Sequence, residues 1–212
     1  MKTCTGRILE CAADLRKTDL RKKVDSRLTE FREAGKGSGE TIFKELCFCL
    51  LTANYSAEGG MRIQKTLGDG FLTLKKEDLE KRLRELGHRF PRARAEYIVK
   101  AREHSNSLKQ AIDSVRNETE LREWLVRNVK GLGYKEASHF LRNIGFGNLA
   151  IIDFHIIDIL AKYNVIKRPK TLTRRRYLEI ESVLRNIAGK LGMSLAELDL
   201  YLWFAETGKL LK

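Results

Sequence analysis

Proline is nearly absent from this 212-residue chain, with only Pro91 and Pro169 present. Long segments therefore run without the residue that most strongly interrupts a helix. Alternating runs of β-branched residues are also scarce, which argues against sheets. One short apolar run, Leu149-Ala150-Ile151-Ile152, fits an extended segment. An all-α fold is the expectation. No stretch of eighteen apolar residues occurs, so no membrane-spanning helix and no membrane partner are expected. Met1–Thr5 lacks the apolar run of a secretory leader. The four cysteines, Cys4, Cys11, Cys47 and Cys49, match no zinc spacing and read as reduced, buried or incidental thiols.

Acidic residues are outnumbered. Lys and Arg total 41 against 28 Asp and Glu, a formal net charge of +13. Such a balance draws a polyanion, with nucleic acid first among the candidates. A hydrophobic fraction of 42% supplies enough apolar residues for a buried core and excludes general disorder.

The helical pattern divides the chain. Residues 7–34 carry apolar positions at Leu9, Ala13, Leu20, Val24 and Leu28. Gly35-Lys36-Gly37-Ser38-Gly39 reads as a flexible break. Residues 40–53 are apolar on most faces, as a central helix would be. Ser56 is placed to cap a helix reaching Leu67. Further helices are expected over 76–86, 91–112 (Pro91 first), 118–129, 134–144, from Asp153 to Tyr163, 172–190 and 194–205. The domain expectation is a single 1–212 unit with subdomains at 40–112, 113–165, and 1–39 with 166–212.

The segment Val129-Lys130-Gly131-Leu132-Gly133-Tyr134-Lys135 reads as helix, tight turn, helix. Glycines permit positive φ and leave the backbone bare. The second helix then offers its first N–H groups, at the positive end of its dipole, to a phosphate. A Gly-x-Gly between helices also fits an ordinary C-cap and turn. Lys135 lies just beyond the second glycine, and Ile151-Ile152-Asp153-Phe154-His155 follows.

This joint pattern resembles the helix-hairpin-helix DNA glycosylases, in which Gly-x-Gly-x-Lys is followed by an apolar-Asp-x-His sequence. The loop 145–152 keeps glycines but lacks the family's proline, and Lys130 stands where a proline is usual. The resemblance implies two helical subdomains with an active-site cleft between them. It implies Lys135 as the amine nucleophile and Asp153 as its acidic partner. A neutral amine attacks C1′ and forms a Schiff base; loss of the C2′ proton then expels the 3′ phosphate. Burial and nearby cations are expected around Lys135 to favour the neutral form. The bland alternatives are a solvated phosphate-binding lysine and a plain N-cap at Asp153, although capping and catalysis are compatible. His155 is expected to pack. The iron–sulphur branch carries four C-terminal cysteines; this chain has none beyond Cys49, so no cofactor and no metal are expected.

The runs Phe43–Asn54, Lys130–Phe140 and Gly208–Lys212 resemble the compact 8-oxoguanine glycosylase/lyase family of archaea and thermophilic bacteria. That likeness implies a bifunctional enzyme acting on double-stranded DNA that contains an oxidised base. It also implies roles for single residues. Asn54 fills the hole left by the flipped nucleotide, or terminates its helix. Phe90 and Trp203 sandwich the extruded base, or are core aromatics. Lys212, through its terminal carboxylate, accepts from the N7–H that 8-oxoguanine has and guanine lacks, or is a loose tail. Gly131 and Gly133 grip the DNA backbone. The alternatives kept open are a glycosylase for another damaged base and a non-catalytic helix-hairpin-helix DNA-binding protein. Arg89, Arg92, Arg94, Lys100 and Arg102 cluster, as do Arg174, Arg175 and Arg176; some are expected along the DNA track and the rest on solvated faces. A monomer in the cytoplasm, associated with the nucleoid, completes the expectation.

Overall fold

The computed structural model of the chain describes residues 4–114 and 117–212. Met1–Thr3, part of the stretch read as lacking a leader, lie outside the described residues, as does the Cys4 side chain. Among the described residues there is no strand, and the all-α expectation holds. The helices are α1 (Cys4–Arg16), α2 (Leu20–Lys36), α3 (Gly39–Thr52), α4 (Ala57–Leu67), α5 (Gly70–Thr73), α6 (Lys76–Glu85), α7 (Pro91–Ala101), α8 (Ser105–Ser114), α9 (Glu118–Asn128), α10 (Tyr134–Asn143), α11 (Phe154–Lys162), α12 (Arg174–Leu191) and α13 (Leu195–Thr207). A 3-10 turn, Arg102–His104, joins α7 to α8. Among the described residues no helix is long and apolar enough to cross a membrane.

Four expectations change. Residues 7–34 are not one helix, because the chain turns at Lys17–Asp19 and Thr18 Oγ1 accepts from Leu20 N–H at 3.2 Å. The buried stripe of α1 is Ile8 and Ala12, one position away from Leu9 and Ala13. The glycine break is shorter than expected: Gly35 and Lys36 continue α2 and Gly39 opens α3. Residues 91–112 split at the 3-10 turn.

The chain forms two compact units, Glu33–Ile144, and the residues up to Arg32 with Gly145–Lys212. These boundaries differ from the three subdomains expected, since 145–165 groups with the chain ends and the hairpin groups with 40–112.

The Glu33–Ile144 unit is built around α3. Ser38 caps it, accepting from Thr41 N–H at 3.3 Å. Ile42, Phe43 and every residue from Leu46 to Thr52 are buried, as a helix surrounded by neighbours requires. Helices α4, α7, α8 and α10 pack on it. Ser56 caps α4 as anticipated, accepting from Gly59 N–H at 3.1 Å. Cys47 and Cys49 belong to this core and are unbridged; burial pushes the Cys47 thiol well up, which keeps it a thiol.

In the other unit α13 is central, with α1, α11 and α12 against it. Leu195, Ala196 and Leu198 to Leu202 are buried. Arg16 of α1 donates to the Leu191 carbonyl at 2.9 Å and pairs with Glu197 at 3.3 Å, fixing α1 to the α12–α13 corner.

Candidate active site

The hairpin is the junction of α9 and α10. Its tip is held inward by buried Val129 and Leu132. Gly131 has φ 94°, and a Cβ there would lie 2.3 Å from Cδ2 of Tyr97, so both backbone and packing demand glycine. Gly133 differs. Its φ is −91°, which any residue adopts, so positive φ does not explain it. Gly133 is the N-cap of α10, and its N–H donates to Glu136 Oε2 at 3.3 Å. That bond is the backward half of a capping box. The missing side chain leaves the first turn of α10 uncovered, which suits a phosphate.

The helices flanking the hairpin are cross-braced. Arg122 of α9 is fully buried, donates to Ser138 Oγ at 3.2 Å and lies 5.1 Å from the Tyr134 ring centre. The Tyr134 hydroxyl donates to Glu123. Lys135 is the second residue of α10. Its side chain is largely buried, and its amine lies 3.7 Å from Glu136 Oε1. That carboxylate belongs to the residue that completes the capping box of α10.

Asn54 follows the end of α3. Ala53 is the C-cap; Asn54 comes next with φ 57° and an exposed side chain. Asparagine tolerates this left-handed conformation better than most residues, so it ends the helix and presents its amide outward together. Phe90 is the N-cap of α7, with Pro91 at the helix start as anticipated. The residue is 36% exposed, more than a side chain enclosed in a core. Its N–H donates to His88 Nδ1 at 3.0 Å, while His88 Nε2 lies 3.0 Å from the Leu51 carbonyl. A carbonyl only accepts, so Nε2 carries the proton and the ring is neutral. Burial lowers the His88 pKa, and nearby Arg94 lowers it further.

Arg94 itself is a correction. The basic run after residue 86 was assigned to DNA contact or solvated faces, yet Arg94 is buried and donates to the Ala53 carbonyl at 2.5 Å. Arg102 likewise turns inward, donating to the Phe71 carbonyl at 2.8 Å. Arg89, Arg92 and Lys100 remain exposed.

In the other unit Asp153 caps α11, accepting from Ile156 N–H at 2.9 Å. Its second oxygen accepts from Trp203 Nε1 at 3.3 Å. Trp203 is half-buried. The His155 ring stands edge-on to it at 5.5 Å and stacks on Phe154 at 4.0 Å, so His155 packs, as expected. Lys212 is half-buried at the end of the chain, beyond the left-handed cap Gly208.

The loop leading to Asp153 is fixed by side chains that the sequence did not single out. Tyr177 donates its hydroxyl to the Ala150 carbonyl at 2.6 Å and accepts from Ile152 N–H at 3.3 Å. Glu181 accepts from Ala150 N–H at 3.1 Å, and Arg185 donates to the Asn148 carbonyl at 2.8 Å. Four backbone groups of 148–152 are thus paired to α12. These bonds give partners to backbone polar groups in an irregular segment where Leu149 to Ile152 are all buried, which regular helix bonds cannot do.

Each unit therefore carries part of the anticipated set: Asn54, Phe90, Gly131, Gly133 and Lys135 in one, and Asp153, Trp203 and Lys212 in the other.

The model of the 8-oxoguanine DNA glycosylase family matches residues 24–193. The 8-oxoguanine DNA glycosylase/AP lyase of Korarchaeum cryptofilum is 58% identical over 93% of this chain and 94% of its own. A crystal structure of the Methanocaldococcus jannaschii 8-oxoguanine glycosylase/lyase, in complex with a 15mer DNA containing 8-oxoguanine, shares 53% identity. It superposes with a TM-score of 0.94 over 97% of this chain and all of its own. The 8-oxoguanine DNA glycosylase of Thermotoga maritima, at 43% identity, gives 0.92 over 98% of this chain and all of that one. With the family model covering most of the chain and relatives this similar over nearly its full length, the chain belongs to the 8-oxoguanine DNA glycosylase family.

Proposed function

We propose that this protein excises 8-oxoguanine from double-stranded DNA and then nicks the strand 3′ to the vacated sugar by β-elimination. The observation that carries the reading is the place of Lys135, a half-buried lysine on the first turn of the hairpin helix α10. Gripping a phosphate with that turn delivers the amine to the adjoining deoxyribose.

Lys135 Nζ, as the free amine, attacks C1′. The N-glycosidic bond breaks, and the base leaves with the bonding pair and takes up a proton. The sugar ring opens to an iminium, a Schiff base on Lys135. Loss of a C2′ proton sends electrons towards C3′, the C3′–O bond breaks and the phosphate departs. Water then releases the lysine. Positive charge builds on the sugar during the first step. The Asp153 carboxylate, with its orientation set by Ile156 N–H and Trp203 Nε1, stabilises that charge. Phe90 and Trp203 give flat walls to the extruded base, Asn54 replaces it in the duplex, and Lys212 contributes to its recognition.

Borohydride trapping tests this. Wild-type protein on an 8-oxoguanine duplex is expected to give a covalent adduct, and Lys135→Gln none. Undiminished trapping by the variant removes Lys135 as the nucleophile.

A further inference from the structure

A ladder of alternating cations and aromatic rings runs along α7 inside the Glu33–Ile144 unit. The Arg89 guanidinium lies 5.0 Å from the centre of the Phe90 ring. Arg94 lies 5.6 Å from Phe90 and 5.6 Å from Tyr97, one turn further on. Lys130, beside the hairpin glycine, lies 5.5 Å from Tyr97 and pairs with Glu96 at 2.6 Å. Tyr97 also fills the space that a side chain at position 131 would need. Of these three cations and two rings Arg94 alone is buried, and its remaining reach goes to the Ala53 carbonyl, immediately before Asn54.

Three segments that touch DNA in the reading above converge on this one side chain. They are the Asn54 turn, the Phe90 corner and, through Tyr97, the Gly131 tip. Guanidinium suits the task, because it offers a flat face to rings and in-plane N–H groups to a carbonyl. Lysine offers the charge without the plane. We propose that Arg94 is a positioning residue for base extrusion, holding the Phe90 ring and the Asn54 turn in one fixed register while touching neither DNA nor the reacting atoms. The proposal rests on the roles of Phe90 and Asn54 given above.

A double-mutant cycle tests it, read as single-turnover release of 8-oxoguanine. Arg94→Lys is expected to slow release about tenfold, the loss of a desolvated cation–ring contact and its paired carbonyl bond. Phe90→Ala is expected to slow it at least as much. The Arg94→Lys, Phe90→Ala double variant is then expected to be slower than Phe90→Ala by well under tenfold, because part of the Arg94 effect acts through the ring and only its hold on the Asn54 turn remains to be lost. Strand cleavage at a preformed abasic site, where no base needs a wall, is expected to suffer less than release. If Arg94→Lys does not fold, Arg94→Gln, which keeps a donor for Ala53, takes its place in the cycle. Losses that multiply in the double variant overturn the proposal, as does equal damage at the abasic site. Normal release by Phe90→Ala overturns it together with the assigned role of Phe90. Normal release by Arg94→Lys, with Phe90→Ala impaired, overturns it alone.

Discussion

Trp203→Phe separates the two tasks assigned to Trp203. Phenylalanine keeps a flat ring for an extruded base but lacks the indole N–H that meets Asp153 Oδ2 at 3.3 Å. A hydrogen bond to an ionised acceptor contributes roughly 1.5–3 kcal/mol, and one this long belongs at the lower end. Loss of about 1–1.5 kcal/mol of support for the carboxylate in the transition state corresponds to a rate fall of about five- to tenfold. Ile156 N–H still holds the other oxygen at 2.9 Å, so α11 stays capped and the melting temperature is expected to change little. Single-turnover excision under saturating enzyme reports the rate, and fluorescence anisotropy with lesion duplex reports affinity. The expected result is slower chemistry at nearly constant affinity, with Trp203→Leu slower again because the flat wall is gone. An unchanged rate in Trp203→Phe, or an affinity loss as large as the rate loss, refutes the assignment of that hydrogen bond to catalysis.

Tyr177→Phe leaves the Ala150 carbonyl and Ile152 N–H without their shared partner. Thermal or urea unfolding is expected to show a loss of about 2 kcal/mol, with slower excision because the Asp153 loop is released. Gly131→Ala places a methyl group against Tyr97 at φ 94°; calorimetry is expected to show destabilisation of roughly 1–3 kcal/mol, and DNA affinity should fall with it. His88 supplies a pH test. Its native pKa lies below the ordinary 6.5, chiefly through burial, so the unfolded chain binds more protons than the native one just below that pH. The His88 contribution is therefore complete above pH 6.5 and declines as pH falls through the native value. Melting temperatures from pH 7.5 to 5 are expected to drop more steeply in the wild type than in His88→Gln; parallel slopes would contradict the neutral, doubly bonded ring.

The sequence exposed those features whose cause is local. The apolar saturation of 40–53 marked α3 as central, Ser56 and Pro91 marked helix starts, and Gly131 marked the turn. Thr18 carried an unread signal, a hydroxyl residue two positions before a new apolar stripe, which is an N-cap pattern. The step at Arg102–His104 had none, because no glycine or proline interrupts the periodicity there. Asn54, Phe90, Gly131, Gly133 and Asp153 lie where a turn or cap presents them, while Lys135 and Trp203 lie within α10 and α13. Their supports were hidden for a different reason. Tyr177 and Glu181 stand 27 and 31 positions from the backbone atoms they bind, and no periodicity reports such pairing. Arg94 sat inside a basic run, where charge argues for solvent. Its spacing of four from Phe90 was the available clue, since residues one helical turn apart share a face.

The division of the chain also bears on how it is made. Glu33–Ile144 is continuous and can fold as it leaves the ribosome. Its companion unit is not, for α1 and the start of α2 must wait until residues after Gly145 have been synthesised. At about 5–20 residues per second that delay is on the order of ten seconds. Throughout it, Ile8 and Ala12 of α1 have no α13 to pack against. The dense Lys and Arg of that segment are then a nascent-chain solubility device as much as a surface of the finished protein.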